Sequence, residues 1–409
     1  MKNKALYLEK NNDSSLCCGC RACEQVCAKK AISMKENSEG FLYPVIDESK
    51  CVDCGACATV CPFVNADKIK QEPQQVYAAI NKNIKDRKNS SSGGVFSALA
   101  KKVLEKKGVV YGAAFDENFV LCHQRVVDER VFPKLMGSKY VQSELNNVFS
   151  QVKDDLNNNL DVLFTGTPCQ VAGLKLFLRK DYEKLITADI VCHGTPSQKM
   201  FKLFINELEL KFGEKIVDFK FRDKRVNGWS CSCSCVSENK KGKRQEHMYD
   251  RVMNAYTEAF LTGDMNRECC YKCPYAECRR AGDFTLADYW GVSNVFPNIN
   301  YQDGVSILTI NTKRGDVFFN QNRLPLDLTK SDYLVAANAG ENLQMIKPSN
   351  RTENRDSIYA RAFADPHAFI SSYFPKNEFK RKILFTLKRI VRSNDSIYMF
   401  LRAIKKRFL

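Results

Sequence analysis

Apolar residues in this chain fall into short runs, and the runs change character near position 75. Before it, Ala31-Ile32-Ser33-Met34 and Phe41-Leu42-Tyr43-Pro44-Val45-Ile46 predict a small hairpin. After it, Val76–Ile80, Val109–Phe115, Leu160–Phe164 and Leu185–Val191 read as buried strands. Between the first two, Val95, Phe96, Leu99, Val103 and Leu104 repeat at helical spacing and predict one apolar helix face. Strand and helix alternate onward, and Ile216–Phe221, Trp229–Ser237 and Val305–Asn311 add further strands. The pattern predicts an α/β core with a mixed sheet, preceded by a small α+β domain. Residues 1–66 form the small domain. Residues 67–75 are polar with one proline and read as a linker. The core spans 76–345, and 346–409 is a C-terminal extension.

The small domain carries the most specific chemistry. Cys51-Val52-Asp53-Cys54-Gly55-Ala56-Cys57-Ala58-Thr59-Val60-Cys61-Pro62 has the C-x2-C-x2-C-x3-C-P spacing of bacterial 4Fe–4S ferredoxins. Cys17, Cys20, Cys23 and Cys27 repeat that spacing, with Ala28 where proline is usual. In two-cluster ferredoxins the fourth cysteine of each run reaches the other cluster. This assigns Cys17, Cys20, Cys23 and Cys61 to one cluster, and Cys51, Cys54, Cys57 and Cys27 to the other. Cys18 is off-register and reads as a spare thiol. Zinc sites pair two C-x2-C knuckles and lack such triple runs, and disulfides would call for an export signal.

The core places its polar motifs where strands end. Ser90-Ser91-Ser92-Gly93-Gly94 opens the predicted helix, as an anion site or as an N-cap and turn. Thr165-Gly166-Thr167-Pro168-Cys169 and Cys192-His193-Gly194-Thr195-Pro196 each follow an apolar strand, where open α/β sheets bind ligands. Cys270 and Cys273 form a lone C-x2-C that must borrow ligands, and Cys169 and Cys192 are the candidates. Cys231, Cys233 and Cys235 alternate, and read as small buried side chains on one strand face. A last strand ends at Asp288 and Trp290, where an aromatic can flank a planar cofactor or fill core.

The first residues lack the apolar stretch of an export signal, and nothing in the 409 residues is long and apolar enough to span a membrane. Nineteen cysteines then point to a reducing, cytoplasmic compartment and metal ligation, in an anaerobic setting. The net charge is +16, of which +9 falls between Lys376 and Leu409. That tail interleaves basic and apolar residues at helical spacing. It is expected on the inner face of an anionic membrane or packed on the protein's own core. Nucleic acid is not expected as a partner, because no recognition motif accompanies the charge.

Several stretches together resemble the coenzyme F420 hydrogenase/dehydrogenase beta-subunit family, in its bacterial branch with an N-terminal two-cluster ferredoxin domain. They are Ser92-Gly93-Gly94-Val95-Phe96, Gly137-Ser138-Lys139-Tyr140-Val141-Gln142-Ser143, Phe164 to Gln170, Asp189 to Gly194, Phe221-Arg222-Asp223-Lys224, Cys270 to Cys273 and Asp283 to Gly291. The resemblance implies FAD, bound around Ser92, Gly93, Gly94, Ser138, Lys139 and Tyr140. Thr165, Gly166, Thr167, Arg222, Asp288 and Trp290 complete the expected cofactor site. It also implies a third 4Fe–4S cluster on Cys169, Cys192, Cys270 and Cys273, leaving out Cys269 and Cys278. The resemblance leaves use of coenzyme F420 itself open, because His193-Gly194 departs from the archaeal pattern.

The resulting expectation is an iron–sulfur flavoprotein oxidoreductase. It takes electrons from a ferredoxin-like donor and reduces a small-molecule substrate, with related proteins found among polysaccharide-biosynthesis functions. His193 is the acid–base candidate, or else a hydrogen-bond donor to a cluster sulfide or a flavin phosphate. The alternative is a non-catalytic electron-relay subunit of a larger complex. A homo-oligomer is compatible with either.

Overall fold

The computed structural model describes residues 4–9, 12–249, 254–340 and 342–372. The basic tail expected between 376 and 409 lies outside them. Among the described residues no helix is long and apolar enough to cross a membrane.

The small domain holds the expected hairpin, β1 (Ile32–Glu36) antiparallel to β2 (Leu42–Ile46). The core is an eight-stranded mixed sheet. Its strands in chain order are β3 (Gln75–Asn81), β4 (Val109–Phe115), β5 (Leu121–Val126), β6 (Val162–Gly166) and β7 (Leu185–Ile190). A separate sheet of β8 (Lys215–Lys220), β9 (Cys233–Glu238) and β10 (Arg244–Tyr249) follows. The chain returns to the large sheet with β11 (Phe284–Asp288), β12 (Ser306–Ile310) and β13 (Leu326–Lys330). The order is β13-β3-β12-β11-β7-β6-β4-β5. β4, β6, β7 and β11 run parallel, and the outer strands pair antiparallel.

Both faces of the parallel centre are buried, so its strands are mainly apolar. Val110, Leu163, Ile186 and Phe284 pack under the helix Val95–Glu105. Tyr111, Phe164 and Leu185 face the helices Val148–Asn157 and Pro168–Leu178. The small domain docks on that second layer. Gln25 Oε1 accepts from the amides of Phe149 and Ser150 at 3.1 and 3.3 Å. A Cβ on Gly173 would lie 3.2 Å from Cys20 Sγ, so a glycine lets the domains approach.

One strand expectation changes here, and two stretches make contacts that composition does not show. The 67–75 stretch is tied down. Lys70 is buried and donates to the Pro274 carbonyl at 3.1 Å, and Gln71 and Arg280 exchange two backbone hydrogen bonds of 2.8 Å. Its polar residues find partners on a neighbouring loop, which composition cannot reveal. The strand expected from Trp229 begins only at Cys233. The helix before it ends at Gly228 with φ 65°, and a Ser230–Ser232 hydrogen bond of 2.9 Å bends the chain. Cys231 therefore leaves the strand face shared by buried Cys233 and Cys235. Finally, the described part of the 346–409 extension packs on the small domain. Arg355, 1% exposed, pairs with Glu39 of the small domain at 2.6 Å.

Candidate functional site

The carboxyl ends of β6, β7 and β11 open into one cavity of about 630 Å3. That volume falls within the range of cofactor sites. Its wall includes the expected Ser92, Gly94, Ser138, Lys139, Tyr140, Thr165, Gly166, Thr167, Arg222, Asp288 and Trp290. Cys169, Cys192, His193, Cys270 and Cys273 line the same space. Gly93 is the exception. Its N–H donates to Ser306 Oγ at 2.9 Å, and a Cβ there would run into the Ala79 carbonyl. Gly93 serves the approach of the loop to the sheet, and Gly94, at φ 87°, makes the turn into the helix.

The serine loop is braced from three sides. Ser91 Oγ accepts from the Ser138 amide at 2.7 Å, and Ser92 Oγ donates to the Val305 carbonyl at 2.9 Å. Lys224 Nζ donates to the carbonyls of Ser92, Arg87 and Asp303, each at 2.6 Å. Ser91 and Lys224 were not among the expected site residues. Both lie inside the motifs, but a spacing pattern does not say which member makes the contact. Lys139 Nζ donates to the carbonyls of Met136 and Lys134 at 2.8 and 3.0 Å. Desolvation pushes its ammonium down to about 7, while these acceptors favour the charged form.

Arg222 organises the opposite wall. It pairs with Asp288 at 2.8 Å, donates to the Ser91 carbonyl at 3.1 Å, and lies over the Trp290 ring at 4.9 Å. Trp229 donates to Asp288 at 2.7 Å and stacks on Trp290 at 4.6 Å. Tyr140 stacks on Phe260 at 4.3 Å. The wall thus offers flat aromatic faces, a fixed guanidinium and serine hydroxyls.

His123 is a cavity residue that sequence reasoning missed. Its Nε2 donates to the Thr165 carbonyl at 2.8 Å, so its Nδ1 accepts from Ser143 Oγ at 2.5 Å. A Cβ on Gly166 would come within 3.2 Å of that ring, which explains the glycine. Burial lowers His123 to about 4. Its folded value lies below the unfolded value near 6.5, so it stabilises the neutral-pH fold. That contribution is complete above about pH 6.5 and is lost as pH falls toward 4, amounting to about 3 kcal/mol. Urea midpoints between pH 7 and 4.5 should fall less in His123→Gln than in wild type. Parallel profiles would contradict the assignment.

His193 donates from Nε2 to the Leu261 carbonyl at 3.0 Å, beside Cys192. The carbonyl fixes its tautomer and ring orientation.

The four borrowed cysteines come from three elements. Cys169 sits in the first turn of the 168–178 helix, whose Thr167 and Gln170 form a capping box. Cys192 follows β7 and accepts from the Gly194 amide at 3.4 Å. Cys270 and Cys273 lie at the turn Glu268–Lys272. Buried Asp189 holds that segment to β7. It accepts from Arg280 at 3.0 Å and from the Gly282 amide at 2.7 Å, and Arg280 donates to the Tyr275 carbonyl at 3.0 Å. Burial drives the Cys192 thiol well up, and Cys270, Cys169 and Cys273 add to the rise. Neighbouring buried thiols of this kind ionise only against a compensating cation, which bound iron would supply. Among the described residues no three His, Cys, Asp or Glu converge as a single metal ion would require. A four-iron cluster spreads its thiolates over separate irons.

In the small domain Cys17, Cys20, Cys23 and Cys61 surround one small cavity. Cys27 and Cys57 pack against the apolar cluster that contains Cys23 and Cys61, and Cys54 is exposed. Amides point at sulfur as cluster ligation favours: Gly19 N–H donates to Cys17 at 3.4 Å and Ala31 N–H to Cys27 at 3.3 Å. Cys18 is not remote. It lines both this cavity and the large one, beside Cys169.

The family described as the C-terminal part of the coenzyme F420 hydrogenase/dehydrogenase beta subunit matches residues 160–331. This match agrees with the resemblance carried by the motifs in that segment. A 4Fe–4S dicluster domain matches residues 16–65, the docked small domain. The family segment begins just before β6 and ends after β13, so it carries all four borrowed cysteines but not the serine loop. No curated protein matches the chain. Among solved structures, a chain of the F420-reducing NiFe hydrogenase complex from Methanosarcina barkeri aligns over 72% of this chain and 94% of its own. The identity is 15% and the TM-score 0.45. The chain is thus an iron–sulfur, oxidoreductase-type protein related to this family.

Proposed function

We propose that the protein is an iron–sulfur flavoprotein oxidoreductase. In this reading electrons enter from a ferredoxin-like donor at the exposed Cys54 edge and reach FAD in the large cavity, where a small-molecule substrate is reduced. The observation that carries it is the shared wall: the four borrowed cysteines and the Ser91, Lys139, Arg222 and Trp290 surfaces border the same 630 Å3 space. Bound FAD would supply two-electron hydride chemistry, and the clusters single electrons.

The residues have distinct tasks. The Ser90–Gly94 loop and Arg222 fit a phosphate, with hydroxyls and a guanidinium held in place beforehand. Trp290 and Tyr140 fit a flat ring. Cys169, Cys192, Cys270 and Cys273 hold the inner cluster beside it. His193, next to Cys192, is the proton-exchange candidate on this wall. A substrate from polysaccharide biosynthesis is supported by the family resemblance. A relay role within a larger complex is supported by the family's own description as a beta subunit. Turnover by the chain alone, rather than only with a co-purified partner, separates the two.

Both tryptophans of the sequence, Trp229 and Trp290, stand stacked in this wall. Titrating flavin-free protein with FAD should quench their fluorescence, with saturation at one flavin per chain. Unchanged emission would remove flavin from this cavity.

A further inference from the structure

Arg267 is the largest fully buried side chain near the clusters, and it is 0% exposed. No carboxylate oxygen of the described residues lies within ion-pairing distance of it. Burying an unpaired guanidinium is costly, so something else must complement its charge. Its partners are neutral. Nε donates to the Cys17 carbonyl at 2.7 Å, Nη2 to the Leu42 carbonyl at 2.8 Å and Nη1 to Gln142 Oε1 at 3.1 Å. The guanidinium lies over the Tyr43 ring at 4.0 Å. Its Nη2 also reaches Cys17 Sγ at 3.7 Å. The Arg267 carbonyl, in turn, accepts the Cys270 amide at 2.9 Å. One residue therefore touches a proposed ligand of the small domain with its side chain and the turn of the borrowed set with its backbone. Gly19 makes room for it, since a Cβ there would lie 3.0 Å from Nη1.

The outer set sits in the opposite field. Cys51 Sγ lies 3.8 Å from Asp53 Oδ1, in a carboxylate 63% exposed, and Glu48 is close by. Lys4 lies between the two carboxylates, 3.7 Å from Asp53 and 3.0 Å from Glu48.

We infer that Arg267 is a positioning residue that gives the two small-domain clusters their polarity. Reducing a cluster adds one electron and one negative charge, and no proton need move. A fixed buried cation favours that charge, and neighbouring carboxylates oppose it. Arg267 thus raises the potential of the Cys17, Cys20, Cys23, Cys61 cluster above that of the Cys51 set, and electrons run inward toward the cavity. The inference rests on the proposed ligand assignment.

The test is an EPR-monitored redox titration of the full chain, purified without oxygen. Wild type should show two small-domain clusters, the more easily reduced one unaffected in signal shape by Cys54→Ser. Arg267→Gln should shift that inner cluster to lower potential and leave the outer one in place. Arg267→Lys, which keeps the charge, should restore most of the shift. Asp53→Asn is exposed and sits at φ 47°, which asparagine tolerates, so it keeps the test open if the arginine variants fail to fold. It should raise the outer potential alone. Unmoved potentials in the folded variants, or both moving together, would overturn the inference. So would a lysine variant that shifts as far as the glutamine one. If wild type lacks two distinct small-domain clusters, the ligand assignment itself falls.

Discussion

Cys192→Ser should bind about eight irons where the wild-type chain binds about twelve, with the two small-domain clusters intact. The expected loss is a whole cluster, because Cys192 is the proposed ligand at the end of β7. Gly194, which donates to its sulfur, is held against Asn266, so the loop cannot shift easily to offer another group. Cys278→Ser provides the comparison. Cys278 is exposed and does not line the cavity, so its iron content should equal wild type. Equal losses in both variants would mean that the wrong four cysteines have been chosen. An unchanged iron content in Cys192→Ser would remove the inner cluster.

Arg222→Ala should abolish flavin retention and destabilise the protein by about 3–5 kcal/mol, as expected when one partner of a buried ion pair is removed. The variant leaves Asp288 with only Trp229 as a side-chain donor, uncovers the Trp290 face and frees the Ser91 carbonyl. Lys139→Ala is the milder case, since its ammonium meets backbone carbonyls of its own loop. Its effect should be a weaker hold on flavin with stability nearly unchanged. Denaturant titration and flavin released on unfolding measure both. Full flavin occupancy in Arg222→Ala would detach this residue from the cofactor site.

Much of the architecture was legible because its signals are local. Buried parallel strands are mainly apolar, as Val109–Phe115 is throughout, and Leu185–Ile190 is but for Thr187 and Asp189, whose polar groups are paired with the 281–283 segment. Cysteine spacing is equally local, since one tight loop must wrap one cluster. The inner set was legible in steps: Cys270 and Cys273 announce an incomplete site, the strand ends offer Cys169 and Cys192 as candidates, and the family resemblance joins the four. What escaped depends on pairings distant in sequence. Arg267 meets Cys17 across 250 positions and Arg355 meets Glu39 across 316, and neither has a motif. His123 lies on an edge strand whose neighbours look unremarkable, and only its contact with Thr165 places it at the cavity. Gly93 was misread because two reasons for a glycine, close backbone packing and anion approach, look identical in sequence.

The central claim is that one chain joins three clusters to a flavin in a single electron path. Iron, acid-labile sulfide and FAD, quantified in protein purified without oxygen, test it most directly. Three clusters and one flavin require about twelve irons, about twelve sulfides and one FAD per chain. About eight irons with no flavin, or zinc in place of iron, would contradict it.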